Sequence, residues 1–111
     1  MSEEMVTDTK YFRIAKAADL PNGERLFFEL EGNPIVLFSL NGEYLAMEDQ
    51  CTHDSGPVGE GELDGEQIIC PRHGARFDIR TGKVLSFPAV TDLKVYKVRV
   101  NEEYLEVGLD Q

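Results

Sequence analysis

At 111 residues the chain has the length of one domain, enough to bury a modest core but not a second independent one. Acids outnumber bases 21 to 11, a net charge of -10, which argues against nucleic acid because a phosphate backbone is gripped through Lys and Arg. The longest apolar run, Ile35 to Phe38, falls far short of a membrane span and no apolar segment follows basic residues at the start, so a cytoplasmic, non-exported protein without membrane contact is expected.

Along the chain, residues 1–8 are polar and acidic and read as a frayed end. Tyr11 to Ala15 reads as a strand and Ala17 to Glu24 as a turn. Two apolar runs follow, Arg25 to Leu30 and Ile35 to Leu40, with Gly32, Asn33 and Pro34 between them as the place of reversal. Asn41-Gly42 then leads into Glu43 to Met47, and Asn-Gly between apolar runs is a strong hairpin signal because both positions accept positive φ. Further strands are expected at 66–70, at 76–79, at 83–87 after Thr81-Gly82, at 92–100 and at 104–109. Short runs with turn residues every ten or so positions mark an all-β sandwich or barrel. Between Leu93 and Val100 the apolar positions change phase, which predicts a bulge or a strand buried on both faces. Gly59, Gly61 and Gly65 do not make a dinucleotide fingerprint, because the third glycine falls one place late and neither a strand before the group nor a helix after it supports one.

The chain contains two cysteines and two histidines, arranged as Cys51-Thr-His53 and Cys70-Pro-Arg-His73. A single disulfide would suit a secreted domain, but a His beside each Cys at ligand spacing favours a metal. Sixteen residues separate His53 from Cys70, enough for a strand out and back to bring the two loops together. Zinc would be satisfied by two Cys and two His, yet zinc modules usually gather both cysteines in one knuckle, whereas here each loop offers one of each ligand. That division suits two irons, one taking both thiolates and the other both imidazoles. The acids Glu60, Glu62, Asp64 and Glu66 fall between the two loops, where they would rim the site.

In this Cys-x-His and Cys-x-x-His spacing, with Gly74 after the second motif, the chain resembles Rieske proteins. The resemblance implies a Rieske-type antiparallel β-sandwich over residues 1–111, with a small cluster-binding subdomain of two loops at about 48–86. It implies one 2Fe-2S cluster on Cys51, His53, Cys70 and His73, whose His-bound iron accepts the electron at the solvent edge. Two ferric ions, two sulfides and two thiolates sum to zero with neutral imidazoles, so an added electron is accepted more readily than by an all-thiolate cluster.

Neighbouring residues narrow the branch. Respiratory members carry an extra Cys in each loop; the matching positions here are Gly56 and Arg72, so no disulfide can span the cluster. High-potential members follow the second His with Gly-Ser-x-Tyr, whose hydroxyls donate to the cluster sulfurs, whereas this chain has Gly74, Ala75, Arg76 and Phe77. A midpoint near the low end of the family's range of roughly -150 to +300 mV is expected, and one above about +100 mV would contradict it. Pro88 stands where the family often packs a proline loop over the cluster, and also where a plain bend between strands would serve. Arg72 and Arg76 read as surface charges offsetting nearby acids or as part of a partner footprint.

The resemblance implies an electron carrier rather than an enzyme: it would take single electrons from a flavin-containing reductase and deliver them to a terminal aromatic-ring-hydroxylating oxygenase, docking near His53 and His73. After the cluster no His remains for a mononuclear iron site. Alternatives are a small Rieske-like subunit of a larger reductase, such as assimilatory nitrite reductase, and a structural zinc module.

Overall fold

The computed structural model describes residues 9–50, 57–71, 74–87 and 91–110. Its strands are β1 (Thr9–Lys16), β2 (Arg25–Leu30), β3 (Asn33–Leu40), β4 (Glu43–Glu48), β5 (Glu62–Asp64), β6 (Gln67–Ile69), β7 (Arg76–Asp78), β8 (Val95–Asn101) and β9 (Tyr104–Asp110), with one short 3-10 turn at Ala17–Asp19. All pairings among them are antiparallel. A six-stranded sheet runs β1-β9-β8-β4-β3-β2, and a three-stranded sheet runs β5-β6-β7. The all-β antiparallel expectation holds. Among the described residues no helix is long and apolar enough to cross a membrane.

The meander β2-β3-β4 forms as the sequence predicts, with one shift in its first turn. Reversal occurs at Glu31 and Gly32, both at positive φ (49° and 84°), so Asn33 and Pro34 belong to β3, with Pro34 opposite Glu29. Two positive-φ residues match the right-handed twist of the flanking strands, whereas a turn centred on proline would not. Asn41 and Gly42, at φ 51° and 84°, make the second turn as expected.

The run Ile35 to Phe38 is apolar throughout because both faces of β3 are covered. Ile35 and Leu37 pack with Leu20, Ala46, Tyr96, Leu105, Val107 and Leu109. Val36 and Phe38 point the other way, into a second core with Met47, Val58, Ile68, Cys70, Ala75, Phe77, Ile79 and Leu93. Fully burying side chains of this size stabilises by about 1.5–3 kcal/mol each, so β3 ties the two units together.

That division also resolves the phase change. Leu93 precedes β8 and belongs to the second core, while Tyr96 within β8 belongs to the first; the chain crosses from one core to the other between them. No bulge is needed there, and the one register shift in the large sheet lies in β1, between Arg13 and Ala15. Residues 83–87 do not form the expected strand and contribute a single bridge, Val84 to Phe77. Backbone bonds flank that bridge, the Asp78 N–H donating to the Lys83 carbonyl (2.9 Å) and the Leu85 N–H to the Arg76 carbonyl (2.8 Å), and side chains take the remaining groups, with the Val84 N–H donating to Asp92 Oδ1 (2.9 Å) and the Arg76 N–H to Ser86 Oγ (3.1 Å). The acidic stretch at 62–64, read from sequence only as a rim, is strand β5. Residues 1–8, expected to fray, lie outside the described residues.

Candidate metal centre

Of the four ligands expected from sequence, the structure describes Cys70; Cys51, His53 and His73 lie outside the described residues, as do Gly56, Arg72 and Pro88. Cys70 follows β6 directly, is 1% exposed and is not in a disulfide. Backbone bonds close the loop it opens: its N–H donates to the Ala75 carbonyl (2.7 Å) and its carbonyl accepts from the Gly74 N–H (2.9 Å). Gly74 has φ 78°, a conformation that glycine adopts without the penalty a side chain would bring, so the residue after the second motif is there to turn the chain back. Cys70, Gly74 and Ala75 are thereby joined at a buried base.

The first loop has a comparable neck. Asp49, one residue past β4, accepts at Oδ1 from the N–H groups of Val58 (3.0 Å) and Gly59 (2.6 Å), while its own N–H donates to the Pro34 carbonyl (2.9 Å). One carboxylate oxygen thus joins the two ends of the segment that carries Cys51 and His53. Charge-assisted bonds of this kind are the stronger class. From β2, the Arg25 guanidinium donates to the carbonyls of Gly59 and Gly61 and stacks 5.3 Å from the Phe38 ring centroid. Nothing in the sequence marks Asp49 or Arg25 for these roles, since the partners are backbone atoms brought in by the fold.

The two necks meet. A Cβ on Gly61 would stand 1.9 Å from the Ile69 carbonyl oxygen, so the chain leaving the first loop runs against the strand entering the second, and only glycine fits. Val58 and Cys70 share the second core. Gly82 allows another such approach, its would-be Cβ 2.0 Å from the Leu93 carbonyl oxygen.

Ala75 and Phe77 are fully buried beside Cys70 in that core, and neither side chain can donate a hydrogen bond. A buried thiol against an apolar wall, at the base of a loop closed by its own backbone, fits a thiolate ligand to a buried iron. Among the described residues no group of three or more His, Cys, Asp or Glu gathers for another metal.

The acids between the loops divide. Asp64 pairs with Arg76 (2.9 Å), which also donates to Gln67. Arg80 bridges Glu66 on the small sheet and Glu43 at the start of β4. Those bonds hold the Glu43 carboxyl below its ordinary range and push the Arg80 guanidinium further up, so it stays charged throughout. Arg76 and Arg80 are therefore structural offsets to acids, one of the two readings the sequence allowed for Arg76. Glu60 and Glu62 remain exposed.

A family model for the Rieske [2Fe-2S] domain matches residues 10–97. The chain is 36% identical over 101 residues to the ferredoxin component of the naphthalene 1,2-dioxygenase system of Pseudomonas putida, covering 91% of this chain and 95% of that one. It is 40% identical over 91 residues to the biphenyl dioxygenase ferredoxin subunit of Pseudomonas sp. (strain KKS102), covering 81% and 84%. Among solved structures it superimposes on a chain of the complex of reduced oxygenase and oxidized ferredoxin in carbazole 1,9a-dioxygenase with a TM-score of 0.81 at 33% identity, covering 87% and 91%. The ferredoxin of carbazole 1,9a-dioxygenase from Nocardioides aromaticivorans IC177 gives the same TM-score at 27% identity, covering 87% and 95%. With its buried Cys70, its paired loop necks and these matches over most of its length, the chain belongs to the Rieske [2Fe-2S] domain family and carries one 2Fe-2S cluster of that type.

Proposed function

We propose that the protein is the ferredoxin component of an oxygenase system, holding its cluster through Cys51, His53, Cys70 and His73 and passing single electrons from a flavin-containing reductase to a terminal aromatic-ring-hydroxylating oxygenase. The cluster supplies a one-electron couple. The chain supplies everything else, and has no substrate chemistry of its own. Cys70 gives a thiolate from a buried position, the backbone bonds from Cys70 to Ala75 and Gly74 fix the loop that offers His73, and Asp49 with Arg25 fixes the loop that offers Cys51 and His53. Docking near His53 and His73 would place the electron at the partner's surface. The small sheet with its two loops, about 48–86, acts as the cluster-binding unit within one domain.

The observation that carries this reading is the buried Cys70 at the end of β6, with the first loop's exit packed against its strand. Iron and sulfide analysis with electron paramagnetic resonance of the reduced protein tests the ligand set. About two irons per chain and a spin-coupled signal with nitrogen donors are expected; one zinc without sulfide would overturn it. Ala75→Ser tests the account of the potential. A new donor bond worth about 1.4 kcal/mol in the reduced state would raise the midpoint by about 60 mV, whereas an unchanged midpoint would remove Ala75 from that account.

A further inference from the structure

Phe87 is 82% exposed, more than any other large apolar side chain among the described residues, and Leu85 beside it is 43% exposed. Both follow from how their segment joins the small sheet. Val84 bridges Phe77 and turns inward, the Leu85 N–H donates to the Arg76 carbonyl (2.8 Å), and Ser86 turns inward to accept from the Arg76 N–H. Alternation then leaves Leu85 and Phe87 outside. The segment runs antiparallel to β7, so from Leu85 to Phe87 it advances toward Ala75 and Gly74, the closing end of the Cys70 loop.

The outer face it borders is acidic. Paired residues of an antiparallel sheet point the same way, so Glu62, Ile69 and Arg76 form one outward row and Asp64, Gln67 and Asp78 another. Arg76 is neutralised by Asp64, leaving carboxylates in excess. Next to the candidate metal centre the molecule therefore shows an exposed phenyl and an isobutyl group with an acidic flank.

We infer that Phe87, supported by Leu85, is the apolar anchor by which this protein docks on its terminal oxygenase, in a recess on that protein bordered by Lys and Arg. This inference rests on the electron-carrier reading proposed above. The net charge of -10 favours a basic-faced partner over a second copy of the same chain, which would be repelled. A transient electron-transfer contact is small, so one desolvated aromatic can carry much of its affinity.

The test is the reduction of a purified terminal oxygenase by the reduced holoprotein, followed by stopped flow over a range of ferredoxin concentration, with the naphthalene 1,2-dioxygenase oxygenase as the first probe. Phe87→Ala should raise the half-saturating concentration about tenfold, as expected for a hot-spot aromatic, and leave the limiting rate, the cluster spectrum and the midpoint unchanged. Leu85→Ala should have a smaller effect of the same kind, and Phe87→Leu should recover part of the loss. Glu62→Lys should slow association at low salt and lose its effect as salt rises. Half-saturation unchanged in Phe87→Ala, while the native protein reduces the oxygenase, would overturn the anchor and leave the carrier reading standing. A native dimer by sedimentation that Phe87→Ala dissolves would assign the patch to self-association and overturn it too. If the native protein, with its cluster intact, reduces no ring-hydroxylating oxygenase, the carrier reading falls and takes the anchor with it.

Discussion

The two faces of β3 support units that are held together in different ways. On the Ile35 and Leu37 side, continuous strand pairing and an aliphatic core hold the structure. On the Val36 and Phe38 side, strands of three residues cannot hold themselves, and the unit is tied by Asp49, Asp92, Ser86 and Arg25 to backbone atoms and by the close approaches at Gly61 and Gly82. The first is a scaffold that tolerates changes of similar volume. The second fastens the residues that flank the two motifs by specific polar bonds and close backbone approaches, which suits a metal with strict bond lengths.

This contrast can be broken at specific residues. Cys70→Ala should have the largest effect, removing the cluster entirely, with iron and labile sulfide at background while far-ultraviolet circular dichroism still reports the six-stranded sheet. Loss of that sheet's signal together with the iron would mean that the units are not separable. Leu37→Ala, at a fully buried position of the scaffold, should lower the unfolding free energy by about 3 kcal/mol in denaturant titration and leave iron per folded chain unchanged. Gly61→Ala should do the reverse, shortening the half-life of iron release to a chelator several-fold with a smaller shift of the unfolding midpoint, because its methyl would push Ile69 and so Cys70 out of place.

The smallest effect should be on the scaffold's outer face. Glu106 is only 6% exposed and accepts from Arg99 Nε (2.7 Å) and Asn101, while Arg13 and Arg99 stack 3.9 and 3.8 Å over Tyr104 and Tyr11. The Arg99 bond holds the Glu106 carboxyl below its ordinary value of 4.5, against a desolvation that pushes it up. A depressed folded-state value means the stabilisation is complete above that ordinary value and is lost as pH falls toward the folded one. Glu106→Gln should therefore be less stable than the native chain near neutral pH, with the gap closing in acid, and cluster content should not follow it. A gap that stays constant as pH falls from neutral into acid would assign the loss to packing rather than to charge.

Much of the scaffold was legible in the sequence, because hairpins are local: Asn41-Gly42 specified its turn, and the closing run at 104–109 was read as the strand it forms. The two Cys and His motifs were legible for the same reason, each lying within a few consecutive residues. The turn within Glu31 to Pro34 could not be placed correctly in this way, since Glu31-Gly32 and Asn33-Pro34 are both plausible turn residues and the register was set by β3 pairing on both sides. The strand expected at 83–87 is cut to one bridge for a related reason, since beyond the two backbone bonds around it the Val84 and Arg76 N–H groups are taken by the Asp92 and Ser86 side chains.

The sequence by itself determined the divided Cys and His motifs, the all-β class and the acidic charge, all properties of neighbouring residues or of composition. Only the tertiary structure decided that β3 is buried on both faces, that Asp49 and Arg25 fasten the first loop, and that Phe87 is left bare beside the second. Those outcomes depend on contacts between residues far apart in the chain, where the geometry of packing, and not local preference, selects the partner.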